Sequence, residues 1–224
     1  MKLKPMIVAA LGDKAVEDAP RVKALGADMV EIRMDLVKGD PLEAVGTAAC
    51  QSGLPIIVTN RMRSEGGAFV GSEEERIDLL LEASAYADFI DIELRAEARD
   101  WLLKKLDLPS IISYHDFSGM PSPEELQSIL NEMAEAGALI SKIAATPKSL
   151  RDNLNLLELL TKTDRLLCVI AMGEMGRHMR VMAPIYGSVL TYGYVSSATA
   201  PGQMSVAELR HAMEILRPGE KNDP

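Results

Sequence analysis

The sequence predicts an α/β protein, a (β/α)8 barrel of the TIM type folded as a single domain over residues 1–224. Three observations lead there. Strand-like and helical apolar patterns alternate eight times with short connections, the mark of parallel βαβ units. The first strand-to-helix turn lacks a glycine-rich dinucleotide fingerprint, which speaks against an open doubly wound sheet. No composition break or linker divides the chain.

In order, residues 6–11 (MIVAAL) read as a buried first strand, and residues 13–25 as a helix that buries Val16, Val22 and Leu25 and stops at Gly26. A second strand is expected over 29–36 and a helix over 41–50, stopped near Gly53. The third strand covers 55–59 (PIIVT) and runs into a charged, glycine-bearing loop, 60–71. Ser72 and Glu75 form a capping box for a helix reaching about Ala87. The fourth strand is 88–94, with its helix over 96–106. The fifth strand ends at His115, and Ser122 caps the next helix with Pro123 at its first position. Sixth and seventh strands fall at 139–144 and 165–172, with a helix over 148–161 between them. A short helical piece over 177–186, an eighth strand over 189–194, a small-residue loop over 196–203 and a helix over 205–216 complete the pattern.

Composition excludes several classes. No apolar run approaches the roughly 18 residues of a membrane helix, and no signal-peptide pattern opens the chain, so a cytoplasmic protein with no membrane partner is expected. A net charge of -9 argues against nucleic acid as a partner. Cys50 and Cys168 fit no metal-ligand spacing and read as free thiols. With three histidines so scattered, no metal site can be assembled, and His178 and His211 read as surface residues.

Strand periodicity gives the strongest physical argument. In Glu31-Ile32-Arg33-Met34-Asp35 the three charges share one face and the two apolar residues the other. The outer face of a barrel packs on helices, so Glu31, Arg33 and Asp35 are expected to point inward. Asp91 and Glu93 repeat the pattern opposite Ile90 and Ile92. Buried charges cost several kcal/mol per ion unless paired, so a barrel that accepts them at its strand ends is building a site.

His115 and Lys142 end adjacent parallel strands and so emerge at the same edge. Apolar neighbours would disfavour the lysine ammonium and free its amine to attack a carbonyl. A histidine titrating near neutrality can move a proton both ways. The pair suggests imine chemistry. An imine-forming aldolase acting on sugar phosphates is the nearest alternative. It would want a glycine-rich phosphate cradle after strands seven and eight, and the last loop offers none. A non-catalytic metabolite-binding barrel has little need for both residues.

Taken together, six segments resemble the type I 3-dehydroquinate dehydratases of the shikimate pathway, along essentially the whole chain. They are Glu31-Ile32-Arg33-Met34-Asp35; Thr59-Asn60-Arg61 with Glu65-Gly66-Gly67; Ser113-Tyr114-His115-Asp116-Phe117; Ser141-Lys142-Ile143-Ala144; Met172-Gly173 with Gly176 and Arg180; and Ala198-Thr199-Ala200-Pro201-Gly202-Gln203. The resemblance implies that Lys142 forms a Schiff base with the C3 ketone of 3-dehydroquinate. His115 then takes the C2 proton and returns it to the departing C1 hydroxyl, a syn elimination, with Glu31 orienting the histidine. It implies that Arg180 binds the substrate carboxylate and that Arg33, Arg61 and Glu65 hold ring hydroxyls and order the site. Phe117 and Met172 would pack on the imine and ring, while Thr199, Ala200 and Gln203 belong to a lid over the substrate. No cofactor is implied, and a homodimer is. Two positions depart from the family pattern: Thr199 stands where serine is common, and Ala9 where some members carry a substrate-touching serine.

Overall fold

The computed structural model describes residues 4–198 and 202–216. Eight parallel strands follow one another around a barrel: β1 (Met6–Leu11), β2 (Met29–Arg33), β3 (Ile56–Thr59), β4 (Phe89–Glu93), β5 (Ser110–Asp116), β6 (Ile140–Ala145), β7 (Leu167–Ala171) and β8 (Leu190–Tyr194). The ladder runs β7-β6-β5-β4-β3-β2-β1-β8, with a two-residue strand β9 (Met204–Ser205) beside β8. β7 and β8 close the ring without a regular ladder; there Val189 N donates to Leu167 O at 3.0 Å and Val169 N to Ser188 Oγ at 3.2 Å.

Eight helices return the chain: α1 (Ala15–Asp18), α2 (Pro41–Ser52), α3 (Glu73–Ala83), α4 (Arg99–Lys105), α5 (Pro123–Glu135), α6 (Asn153–Lys162), α7 (Met179–Tyr186) and α8 (Val206–Leu216). The capping boxes at Ser72–Glu75 and Ser122–Glu125 both form, each satisfying two backbone donors that would otherwise lack partners. The first helix is much shorter than its apolar pattern. Pro20 lacks an N–H and so cannot donate back to the carbonyl one turn earlier, and the chain passes into a 3-10 turn over Ala19–Arg21. β2 is also shorter than expected: it ends at Arg33, and Met34–Leu36 form a 3-10 turn.

Period two sorts the strand side chains into two cores. Ile7, Ala9, Ile32, Val58, Ile90, Ile92, Ile112 and Ile143 face outward and pack with the helices. Inside, Val8, Met29, Ile57, Ile111, Ile140 and Leu190 fill the lower barrel. Above that apolar plug, toward the C-terminal strand ends, the inward side chains turn polar. Glu31, Thr59, Asp91, Glu93, Ser113 and Lys142 are all buried.

Candidate active site

Lys142 sits beside Ser113 and Cys168 in strand register, one inward layer below His115, which is level with Ala144. Its Nζ donates to Asp91 Oδ2 at 2.8 Å and Glu31 Oε1 at 3.3 Å. Burial alone would pull the lysine pKa down, but the two carboxylates outweigh it and hold the group above its ordinary value. The expected apolar setting is therefore corrected: Lys142 rests as an ammonium held by two acids, because β2 and β4 both present carboxylates at its level. Asp91 is held well below the usual carboxylate range; burial opposes this, and Arg61 and Lys142 overcome it.

Arg61 ties the wall together. It donates to Glu93 Oε1 at 2.9 Å, Asp91 Oδ1 at 3.2 Å and Ser113 Oγ at 2.7 Å. Glu93 also accepts from Met62 N at 3.0 Å and from Arg76 Nη1 of α3 at 2.9 Å. Two arginines and two aspartate or glutamate groups thus satisfy one another, which makes their burial tolerable.

The partner of His115 differs from expectation. Its Nδ1 lies 2.9 Å from Glu65 Oε2, and its backbone N–H donates to the same oxygen at 2.9 Å. Glu31 instead lies under Lys142, where it also accepts from Thr59 Oγ1 at 3.0 Å. An oxygen that accepts from the backbone accepts from Nδ1–H as well, leaving the Nε2 lone pair free to act as a base. Burial, Arg61 and Lys142 drive the histidine pKa well below its ordinary value, so the ring is neutral at pH 7. Burial also pushes Glu65 up to about 7, against the pull of Arg61.

Glu65 reaches this position through two glycines. Gly66 has φ +79°, and a Cβ there would lie 2.4 Å from the Phe117 ring. At Gly67 a Cβ would lie 1.9 Å from Arg61 O. The loop can fold so tightly only without side chains at both positions.

Asp35, expected to face into the barrel, lies beyond the end of β2 and anchors loops instead. It pairs with Arg33 through two hydrogen bonds, 2.8 and 2.7 Å, and accepts from Arg61 N and Ala68 N. Arg180 of α7 is buried, donating to Gly202 O at 2.9 Å and Tyr192 O at 3.1 Å. Among the described residues no carboxylate pairs with it, and burial pushes it down to about 10. A buried guanidinium with no acid beside it is suited to an anionic ligand.

A cavity of ≈ 200 Å³ joins these groups. Glu31, Arg33, Arg61, Glu65, His115, Phe117, Lys142, Met172, Arg180 and Gln203 line it, as do Tyr192, Ile170 and Ala144, which the sequence reading did not single out. Thr199 and Ala200 lie outside the described residues. Phe117 is half exposed at the rim. Tyr192 was legible only as an inward position on β8; nothing in its local pattern distinguished it from core.

The description "Type I 3-dehydroquinase" belongs to a family whose sequence model matches residues 6–220. The chain belongs to the type I 3-dehydroquinase family. A curated 3-dehydroquinate dehydratase of Methanothrix thermoacetophila is 51% identical over 212 residues, 95% of this chain and 92% of that protein. Among solved structures, the 3-dehydroquinate dehydratase of Geobacillus kaustophilus superimposes with a TM-score of 0.87 at 27% identity, covering 95% of this chain and 91% of that one. The type I 3-dehydroquinate dehydratase of Clostridium difficile, solved with covalently modified comenic acid, gives 0.84 at 31% identity, covering 95% and 92%. This type I 3-dehydroquinase is thus a (β/α)8 barrel whose polar cavity opens at the C-terminal strand ends, where barrel enzymes carry their chemistry.

Proposed function

We propose that this chain, working as a single barrel domain, dehydrates 3-dehydroquinate to 3-dehydroshikimate through an imine on Lys142. The observation that carries the proposal is one cavity holding a buried lysine, a neutral histidine with a free Nε2 and an acid-free buried arginine.

Arg180 takes the substrate carboxylate, fixing the ring with its C3 ketone over Lys142. The lysine gives up a proton to the surrounding carboxylates, and its amine attacks C3; loss of the carbonyl oxygen as water leaves the iminium. That cation acidifies C2, because the carbanion delocalises into it as an enamine. His115 Nε2 removes the C2 proton and delivers it to the C1 hydroxyl, which departs as water from the same face. Glu65 holds the ring and offsets the positive charge that the histidine gains between the two transfers. A second water hydrolyses the imine and releases the product.

The family reading also carries a cytoplasmic homodimer. The exposed side chains of Leu150, Leu154 and Met175 support an apolar contact between copies, which sedimentation tests directly. No helix of the described residues is long and apolar enough to cross a membrane.

Borohydride trapping tests the mechanism. Protein incubated with 3-dehydroquinate and reduced should carry a mass increase on the peptide containing Lys142. An unmodified Lys142, with substrate unconsumed in an untreated control, would overturn the proposal.

A further inference from the structure

Tyr192 projects from β8 into the barrel, and its ring lies face-on to Lys142, 4.2 Å from Nζ to the ring centroid. The residue is 3% exposed and its hydroxyl makes no hydrogen bond with any described residue. What it gives the site is therefore its aromatic face. Around the nitrogen, that face completes a cage whose other walls are Asp91 and Glu31.

The three walls respond differently to imine formation. An ammonium has three N–H groups. Condensation with a ketone leaves one of them on the iminium nitrogen and sends two hydrogens out in the departing water, while the positive charge stays on nitrogen. The single N–H that remains cannot serve both carboxylates, so one of them loses its hydrogen-bond donor in that exchange. A π face needs no N–H, and a flat, delocalised cation can stack on it as well as be attracted to it, so the ring holds an iminium more closely than a tetrahedral ammonium. We propose that Tyr192 is a further catalytic residue, whose ring face sustains the positive charge on the Lys142 nitrogen when it passes from ammonium to iminium. This inference rests on the imine reading of Lys142. The phenol itself stays neutral, since burial raises its pKa well above the ordinary value and Glu31 adds to the rise.

The test replaces Tyr192 with phenylalanine and then with mono-, tri- and pentafluorophenylalanine, which keep the shape of the ring while draining negative charge from its face. Two quantities are read. One is the fraction of enzyme trapped as iminium by borohydride at a fixed concentration of 3-dehydroshikimate. The other is the apparent pKa of Lys142 from NMR of its ε-carbon, with Asp91, Glu31, Arg61, His115 and Cys168 unchanged around it. Tyr192→Phe is the reference for the fluorinated series, because it keeps the ring face and removes a hydroxyl with no partner among the described residues. Across the fluorinated series the iminium equilibrium should fall stepwise by roughly 10- to 30-fold and the lysine pKa by about one pH unit. The melting temperature should stay level. Flat values across a folded series would overturn the inference while leaving the imine intact. If the unsubstituted protein traps no adduct, the imine reading fails instead, and the lysine titration alone decides whether the ring holds the cation.

Discussion

Nδ1 of His115 and the backbone N–H of the same residue converge on one oxygen, Oε2 of Glu65, each at 2.9 Å. A single carboxylate thereby fixes the histidine's tautomer and its place on β5, and it does so from the loop after β3, two strands earlier in sequence. Arg61 begins that loop and braces the lysine's acid partner, Asp91. Base and nucleophile are thus positioned by the same short segment.

Glu65→Gln should separate the charge of this carboxylate from its geometry. Glu65 titrates at about 7 in the folded protein, above its ordinary 4.5, so folding favours its protonated form. Its contribution is most favourable below about pH 4.5 and is lost as pH rises to about 7, a swing of roughly 3 kcal/mol at 1.36 kcal/mol per unit. The glutamine variant lacks that swing. Its melting temperature should gain on the parent between pH 4.5 and 7, with turnover down roughly tenfold or more as the developing imidazolium loses its counter-charge. Parallel melting curves across that window would refute the assignment.

Arg180→Gln should raise KM for 3-dehydroquinate by roughly 10- to 100-fold, the worth of hydrogen bonds from a cation to a carboxylate. Stability should hold or improve, because the change removes a buried charge with no acid partner among the described residues. A KM within twofold of the parent, measured by steady-state assay, would mean that the substrate's anion docks elsewhere.

Lys142→Met and Asp91→Asn should not add. Either change alone strands charge in the lower site and should cost about 3 kcal/mol, whereas the double variant removes both partners of the 2.8 Å pair. Urea denaturation of the four proteins should therefore give a coupling energy of about 1–3 kcal/mol in favour of the double. Strict additivity would show that the two groups do not depend on each other. Both lysine variants should be inactive.

Arg76→Met should act at a distance. The guanidinium is fully buried and spans Glu93, Glu73 and the carbonyl of Asn60. Its loss should cost about 3–5 kcal/mol and loosen the segment that carries Arg61 and Glu65. Limited proteolysis should find new cleavage between residues 60 and 72. Lysine at this position should restore little, since one ammonium cannot span three acceptors in that fixed geometry.

Much of this is legible in the amino-acid sequence. Eight alternations gave the barrel, and period two placed Asp91 and Glu93 inside it, because alternation is a property of the strand itself. His115 does lie near the end of β5, whereas Lys142, expected at the end of its strand, sits midway along β6, one layer deeper. The partnerships are not legible in this way. Which acid reaches His115 depends on a glycine-bearing loop whose path no periodicity encodes, so the resemblance assigns Glu31 to the histidine while Glu65 holds it. Asp35 misled for a related reason: the pattern of β2 continues past the residue at which the strand stops. Tyr192 was hidden because an aromatic residue in a strand reads as core whether or not a cation lies on it.

The alternating charges of β2 and β4 also bear on how the chain folds. Suppose β4 paired with its neighbours one residue out of step. Asp91 and Glu93 would then enter the oily layer between barrel and helices, and Ile90 and Ile92 would line the water-facing mouth. Each misplaced carboxylate carries a penalty of several kcal/mol unless it finds a partner as good as the one it left. A slipped ladder is thus far more costly here than in a strand of uniform isoleucine or valine, whose two faces are interchangeable. The side chains that make the chemistry possible therefore also act as a proofreading mark during assembly.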